Sequence, residues 1–281
     1  MAGGSIQPGV TRRITVSVPL GACIVTDPHQ TVLLEEAVSA LIINRSGTYV
    51  DCTYGRGGHS QAIVNTLESG GRLLVVDRDK TAIDHAHDKF KDDPRVMVEH
   101  GAFSQLGEFT QKHQLEGLDG VLMDLGVSSP QLDDGERGFS FQHSGPLDMR
   151  MSQSGPSAAD LVNGLPEADI ANLLYLYGEE RASRRIAKSI VQRRSDAAFK
   201  TTLDLAQLIE KALPRTKPGQ SHAATRSFQA LRIAVNNEYG ELFAGLLAGE
   251  RALRAGGLFC VVSFHSIEDR MVKRFFQMRA G

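Results

Sequence analysis

The chain has 281 residues, of which 41% are hydrophobic, and carries a formal net charge of −2. This length can bury a full core, either as one large domain or as a domain that carries a second one. The nearly balanced charge excludes a uniformly basic protein, so any contact with nucleic acid has to be local. Cys23, Cys52 and Cys260 are too widely spaced for a CxxC metal site or a disulfide framework, which favours a reducing compartment.

The first 28 residues allow two interpretations. Arg12-Arg13 before a short apolar run, followed by Leu20-Gly-Ala-Cys23, superficially resembles an export signal with a lipoprotein cleavage site. Because Ser17, Pro19 and Gly21 interrupt the run, we expect a loosely ordered leader instead. No later stretch reaches the roughly 18 uninterrupted apolar residues of a membrane span. The sequence therefore predicts a cytoplasmic protein with no membrane partner.

The segment Tyr49–Ser60 organises the rest of the chain. An apolar run ends in an acid, a glycine-rich turn follows, and a helical pattern begins at Gly58, so the segment predicts strand, tight turn and helix. Glycines at 55, 57 and 58 let the backbone approach a ligand, and the first amides of the helix point towards it. The spacing of these glycines does not match the Gly-x-Gly-x-x-Gly of a nicotinamide-dependent oxidoreductase.

Acids also end the next apolar strands along the chain. Arg72–Asp77 follows about 20 residues after the turn, the spacing at which a carboxylate reaches a ribose hydroxyl. Further strands at 95–99, 119–124 and 257–263 alternate with helices at 80–90, 104–113 and 266–278. This alternation predicts an α/β, Rossmann-like fold with a parallel-rich sheet. Its ligand, a nucleoside-containing cofactor, is expected beyond the carboxyl ends of the strands, where Gly55, Asp77, Phe103 and Asp124 fall.

The alternation stops between about 130 and 254, where we predict an inserted helical region. Its first part, 130–156, is too polar for a core and too rich in apolar residues for a linker, which indicates a folded active-site loop. Helices are predicted at 166–177, 179–195, 201–213, 224–238 and 240–254.

Positive charge is concentrated within the inserted region. Between Arg181 and Arg232 there are twelve Lys or Arg against three acids, a local charge of about +9. Four of these cations recur at helical spacing and form what we call the basic face: Arg181, Arg184, Arg185 and Lys188. The basic face either follows RNA phosphates or is a solvated helix surface with Glu179 and Glu180 as intrahelical partners, and the sequence leaves both open.

Long motifs resemble one family closely, the ribosomal RNA small-subunit methyltransferase H family. The matches include His29–Val38, Gly55–Ser60, Asp77–Asp79, Asp124–Asp133, Glu136–Phe141, Gly145–Met151, Gly178–Glu180, Thr225–Ile233 and Ser263–Arg270. The resemblance implies a class I methyltransferase domain at 29–129 and 255–281, with an inserted helical RNA-recognition domain at 130–254. It also implies methylation of N4 of a cytidine in the decoding region of 16S rRNA, with S-adenosylmethionine as cofactor and 16S rRNA or the small subunit as partner.

Residue by residue, the resemblance implies a cofactor site, and no metal site is predicted. The cofactor residues are Gly57, Gly58, His59, Asp77, Phe103, Asp124 and Gln131. To the basic face the prediction adds Arg226 and Arg232 as RNA contacts. For holding the target amine we predict Asp124 with Ser128 or Ser129. His265 either accepts a hydrogen bond near the base or caps the last helix.

Two departures from the family pattern affect these expectations. The chain has His222-Ala-Ala-Thr-Arg226 where the family usually has proline in second place, which relaxes the turn before that helix. The family also continues for some tens of residues beyond the last predicted helix, so the methyltransferase domain is expected to be truncated. A DNA amino-methyltransferase and a non-catalytic RNA-binding or assembly protein remain the alternatives, and the oligomeric state, monomer or homodimer, stays open.

Overall fold

The computed structural model describes residues 13–17, 33–214, 219 and 221–279, with the backbone alone at 13–17. The chain divides into two compact units, Met1–Val127 with Gly240–Gly281, and Ser128–Tyr239. Within the described ranges, no helix combines the length and the apolar character that crossing a membrane requires. The motif at His29–Val38 lies partly, and Cys23 wholly, outside the described residues.

The first unit is built on one parallel sheet. Its described strands are β1 (Arg13–Ser17), β2 (Thr48–Asp51), β3 (Arg72–Asp77), β4 (Val96–His100), β5 (Leu118–Asp124) and β6 (Leu253–Ser263). They lie in the order β1-β6-β5-β2-β3-β4, and every neighbouring pair is parallel. The predicted α/β, Rossmann-like class is thereby confirmed.

Helices follow the strands as the alternation predicted, and the described ones are numbered along the chain. They are α1 (Leu34–Leu41), α2 (Gly58–Thr66), α3 (Lys80–Phe90), α4 (Leu106–Lys112), α5 (Ser129–Asp133), α6 (Ala158–Gly164), α7 (Glu167–Gly178), α8 (Ser183–Arg194), α9 (Thr202–Ala212), α10 (Thr225–Val235), α11 (Glu238–Ala252) and α12 (Ser266–Gln277). Short 3-10 helices lie at Phe103–Gln105 and Gly135–Arg137.

Both faces of the sheet are covered by helices, because alternate strand residues point to opposite sides. One core joins Tyr49, Leu73 and Leu122 to residues of α1, α2 and α3. The other joins strand residues such as Val50 and Val121 to α4, α11 and α12. Burial on both sides explains why the central strands read as nearly continuous apolar runs.

Five residues of the expected leader differ from the prediction. Arg13–Ser17 form β1 and pair in parallel with β6, with Ile14 opposite Cys260 and Ser17 opposite Ser263. The outer edge of β6 would otherwise present unpaired amides and carbonyls, and a β-branched run such as Ile14-Thr-Val16 suits such an edge.

The boundary after the inserted region also differs from the predicted 254. The second unit ends at Tyr239, and nearly all of α11 belongs to the first unit. Leu242 and Leu246 of this helix are buried in the core of the sheet. Gly245 faces Phe103, since a Cβ on it would lie 2.3 Å from the Phe103 ring. A helical pattern alone does not reveal which core a helix joins.

The second unit, Ser128–Tyr239, is helical apart from an isolated bridge between Pro146 and Thr201. Its segment 130–156 is folded, as predicted. The Asn236 side chain accepts a hydrogen bond from the Met151 amide (2.8 Å) and donates one to the Met149 carbonyl (2.7 Å). Arg137 donates to the carbonyls of Arg150 and Met151, both at 3.1 Å. Buried polar groups with such partners specify one loop conformation.

Candidate active site

Three carboxylates meet at the carboxyl edge of the sheet, and we call Asp51, Asp77 and Asp124 the acid cluster. In the parallel register Asp51 lies opposite Val75 and Leu122. Asp77 and Asp124 are therefore each two residues further along their strands. Because side chains alternate with a period of two, all three point to the face of the sheet that α2 covers. The chain after β2 leaves the sheet between the two longer strands.

The glycine-rich turn crosses this gap. Gly55 and Gly57 have φ of 55° and 73°, left-handed conformations that favour glycine. A Cβ on Gly57 would lie 2.5 Å from the ring of Tyr54. A larger residue at 57 is thus excluded by the protein itself, so loss of ligand binding in a Gly57 variant would not place the ligand at the turn.

Asp51 is completely buried under the start of α2. Its carboxylate accepts hydrogen bonds from the Ser60 hydroxyl (2.6 Å) and the Thr53 amide (3.1 Å). Burial raises the pKa of Asp51, while the nearby His59 and these hydrogen bonds lower it in part. Asp51 therefore holds the first turn of α2 against β2.

Asp77, the predicted ribose ligand, holds the turn in this structure. One of its oxygens accepts the Gly55 amide and the other the Asp79 amide, both at 2.8 Å. Burial raises the pKa of Asp77 to about 6; the two amides oppose this shift, and the charges of Asp79 and Asp51 add to it. The side chain thus connects the end of β3 to the glycine turn.

Asp124 has the most perturbed carboxyl of the acid cluster. Burial, followed by the charges of Asp51 and Glu268, raises its pKa to about 8. Its Oδ2 lies 3.6 Å from Nδ1 of His59, beyond hydrogen-bond distance. Burial lowers the pKa of His59. Both shifts favour the neutral forms, which at this distance disfavours an ion pair between the two side chains.

Among the described residues of this edge, Oδ1 of Asp124 and Nε2 of His59 are buried without a hydrogen-bond partner, as is Oγ of Ser263. Buried polar atoms in native proteins are almost always hydrogen-bonded, so such a pair indicates a ligand that supplies donors and acceptors. This observation brings the predicted residues His59 and Asp124 together as one polar site.

His265 was predicted either as an acceptor near the substrate or as a helix cap, and the structure places it as a cap. It is the N-cap residue of α12, and its Nδ1 accepts the Glu268 amide at 3.5 Å. Its Nε2 lies 3.0 Å from Oε1 of Glu268, which is itself buried. The imidazole and this carboxylate therefore fix the first turn of α12.

Phe103 begins the 3-10 helix after β4 and is half-buried against the core beneath α11. The residue as a whole is only partly buried. An aromatic ring in this position can stack on a flat ring system such as adenine.

The remaining cofactor and amine-holding candidates lie in the second unit. Gln131 is buried, and its Oε1 accepts the Ser128 amide at 3.0 Å. Ser129 is the exposed first residue of α5. Ser128 and Ser129 follow Asp124 by four and five residues along the chain, while Gln131 stabilises the start of this short helix.

The basic face is exposed along α8 and the residues before it. Within the described ranges, none of its four cations has an ion pair or a side-chain hydrogen bond. Glu180, one of the expected partners, is buried and accepts the Ala182 amide at 2.8 Å instead. The solvated-helix interpretation loses that partner.

The other two predicted RNA contacts already have protein partners. Arg232 forms a two-pronged ion pair with Glu238, at 2.7 and 2.9 Å, and both side chains are mostly buried. Arg226 is exposed and donates to the Glu179 carbonyl at 3.2 Å. Arg232 is therefore placed as a structural residue, whereas Arg226 keeps donors that face solvent.

Asp51, Ser60 and Glu268 were not among the predicted site residues. A signal existed for Asp51, because it ends its strand in the same way as Asp77 and Asp124 end theirs. The Ser60 hydroxyl and the buried Glu268 carboxyl carried no comparable signal, since their roles depend on contacts made only in the folded chain.

Comparison with known proteins identifies the family. The model of the MraW methylase family matches residues 26–281. This chain belongs to that family. It is accordingly a methyltransferase with a Rossmann-like fold.

Several relatives are similar over most of their length. Ribosomal RNA small subunit methyltransferase H of Ruegeria sp. (strain TM1040) is 55% identical over 257 residues, covering 90% of this chain and 75% of its own. The protein of the same name from Roseobacter denitrificans is 55% identical, covering 91% and 76%, and that from Caulobacter vibrioides 50%, covering 90% and 79%. Among solved structures, a methyltransferase from Geobacter sulfurreducens aligns with 33% of this chain and 44% of its own, at 18% identity and a TM-score of 0.26.

Proposed function

We propose that this protein transfers a methyl group from S-adenosylmethionine to N4 of a cytidine in the decoding region of 16S rRNA, acting on the small ribosomal subunit in the cytoplasm. The family and the names of its relatives support an rRNA substrate. The observation that carries the proposal is the acid cluster around the glycine turn, where buried Oδ1 of Asp124 and Nε2 of His59 have no partner among the described residues.

The residues at this edge fit S-adenosylmethionine. Oδ1 of Asp124 and Nε2 of His59 can satisfy polar groups of the cofactor. The first amides of α2 can receive its methionine end, and no phosphate-binding glycine spacing is needed for a cofactor without phosphate. We assign Asp77 to the ribose hydroxyls, which its carboxylate would accept beside the Gly55 and Asp79 amides, and Phe103 to the adenine.

The bound cofactor would supply an electrophilic methyl group on a positively charged sulfur. The protein's part is to align N4 with that methyl group and to offer acceptors that localise the amine lone pair. We assign this part to Asp124 with Ser128 or Ser129. No strong base has to act before attack, because the methylated ammonium is acidic enough to release its proton afterwards.

The ionisation of Asp124 fits this part. With a pKa of about 8 in the free protein, most of the carboxyl is protonated at pH 7. A cationic sulfonium or a developing ammonium nearby lowers the pKa of a neighbouring carboxyl. Asp124 would therefore gain its negative charge in the complex, where that charge stabilises the transition state.

RNA is proposed to bind the basic face of the second unit. The four exposed cations of the basic face, which have no side-chain partner among the described residues, would release their counterions when they meet phosphates, a sequence-independent source of affinity. The target cytidine has to leave its stack to expose N4, which suits a single-stranded or deformable RNA element.

Methyl transfer from tritiated S-adenosylmethionine tests the proposal directly. The substrate is a small ribosomal subunit that lacks the modification, and digestion to nucleosides identifies the product. We expect label in N4-methylcytidine, with none when duplex DNA replaces the subunit. Label in another nucleoside would contradict the assigned target atom, and cofactor binding without transfer to RNA would favour the DNA amino-methyltransferase.

A further inference from the structure

Tyr54 occupies an unusual place in the glycine turn, because its buried ring fills the space that a side chain at position 57 would need. Its exposed fraction is 3%. Ring atoms of Tyr54 lie 2.5 to 2.7 Å from the position of a Cβ on Gly57. The Gly57 amide also donates to the Tyr54 carbonyl at 2.7 Å. The position of this ring therefore limits how closely the backbone of the turn can approach the residues beneath it.

The ring is held from one side by α3. The Tyr54 hydroxyl lies 2.6 Å from Nδ1 of His85, and the ring meets Phe90 edge-on at a centroid distance of 6.4 Å. Burial raises the pKa of Tyr54, so its hydroxyl stays protonated. Burial and the charges of Arg56 and Lys89 lower the pKa of His85, which favours a neutral imidazole that shares one hydrogen bond with the Tyr54 hydroxyl.

A second contact from α3 reaches the same turn. Nζ of Lys89 lies 3.4 Å from the Gly57 carbonyl, which also accepts the Gln61 amide in the first turn of α2. On the opposite side, Asp77 accepts the Gly55 amide. The turn is thus fixed between the end of β3 and the side of α3. Of the side chains that fix it, only Asp77 is among the predicted cofactor residues.

We propose that Tyr54 and His85 are positioning residues for the cofactor: their hydrogen bond holds the glycine turn in the conformation that presents the first amides of α2 to the ligand. This inference rests on the proposed use of S-adenosylmethionine. Neither residue touches the reacting atoms, so removing the bond should weaken cofactor binding and leave the methyl-transfer step unchanged.

Tyr54→Phe tests the proposal, because it keeps the ring beneath Gly57 and removes only the hydroxyl. We expect the dissociation constant and the KM for S-adenosylmethionine to rise about three- to tenfold, the value of roughly one buried hydrogen bond. The kcat and the KM for RNA should stay within about twofold. A purely structural role would lower the melting temperature without separating these kinetic constants.

Four further variants sharpen the test. His85→Ala should match Tyr54→Phe, and the double variant should be no worse than either, because both remove the same bond. His85→Gln restores an acceptor and should recover most of the affinity. His87→Ala is the matched control, since His87 is an exposed histidine of the same helix. Additive effects, or an unchanged cofactor dissociation constant in Tyr54→Phe and His85→Ala, would overturn the proposal.

Hydrogen exchange separates this proposal from the proposed function. In the ligand-free protein, amides at 55–58 should exchange faster in Tyr54→Phe and His85→Ala than in wild type or His87→Ala. If the variants exchange faster but the protein binds no S-adenosylmethionine, Tyr54 and His85 hold the turn and the proposed cofactor is wrong. Unchanged exchange would reject the positioning role even where the cofactor binds.

Discussion

The acid cluster of the first unit and the basic face of the second unit differ in how far their ionisable groups are exposed to solvent. Burial raises the pKa of each acid, to about 8 at Asp124. The four cations of the basic face are exposed to solvent, and among the described residues none of them has an ion pair or a side-chain hydrogen bond. A buried carboxylate charge is unfavourable unless hydrogen bonds or an opposite charge compensate it, whereas an exposed cation carries almost no desolvation penalty. The first arrangement suits specific chemistry, and the second suits attraction of a polyanion.

Asp124→Asn should produce the largest effect of any single change. The amide keeps the shape but cannot carry the charge that favours the developing ammonium. We expect methyl transfer at saturating cofactor to fall about 30- to 1000-fold, or about 2 to 4 kcal/mol. Single-turnover kinetics, beside equilibrium binding of cofactor and RNA, measure this loss.

The outcome for binding distinguishes two roles of Asp124. A loss of S-adenosylmethionine affinity with near-normal turnover at saturation would make Asp124 a cofactor ligand alone. If the rate and both affinities stayed within about twofold of wild type, the amine would have to be held by another residue, with Ser128 and Ser129 the next to test.

Asp77→Ala should act on affinity more than on rate. It removes the proposed ribose acceptor and both hydrogen bonds to the amides of Gly55 and Asp79. We expect the cofactor dissociation constant to rise about 10- to 100-fold, since each buried charged hydrogen bond contributes about 1.5 to 3 kcal/mol. Asp77→Asn keeps one carbonyl acceptor, so its cofactor dissociation constant should lie between those of wild type and Asp77→Ala. Normal binding with lost turnover would contradict the assignment.

Replacing Arg184, Arg185 and Lys188 by Ala tests the other half of the comparison. We expect RNA affinity to fall across sequences and the slope of log affinity against log salt to flatten by about 0.7 for each phosphate that the variant no longer neutralises. Cofactor affinity should not change. The matched control replaces three exposed cations of the first unit, Arg45, Lys91 and Arg251, and removes the same charge. Equal salt slopes in both triple variants would return the basic face to the solvated-helix interpretation.

The smallest expected effect is a pH dependence of cofactor binding. In the free protein, Asp124 is mostly protonated at pH 6.5 and mostly ionised at pH 8.5. A cationic cofactor binds the ionised form better, so the dissociation constant for S-adenosylmethionine should fall about three- to tenfold over this range. S-adenosylhomocysteine, which lacks the sulfonium charge, should change less. Equal pH profiles for the two ligands in calorimetry would show that the charge of Asp124 does not act on the sulfonium.

Local pattern was sufficient for the sheet and for part of the site. The strands after position 48, the glycine turn and the acids at 77 and 124 follow from apolar runs and their endings, because hydrophobic periodicity and turn chemistry are properties of neighbouring residues. The same rule, an apolar strand that ends in an acid, also identifies Asp51. Local pattern could not assign α11 to the core of the sheet, because an amphipathic pattern shows which face of a helix is buried but not what that face packs against.

The sequence by itself determined the alternation of strands and helices, the turn that a ligand can approach, and the concentration of positive charge in one region. Only the tertiary structure decided which of those charges are available. It paired Arg232 with Glu238, used Glu180 and His265 at helix starts, and raised the pKa of Asp124 by burial beside other acids. The physical reason is that pairing and desolvation depend on contacts in the folded chain, often between residues far apart in sequence, and local pattern does not encode them.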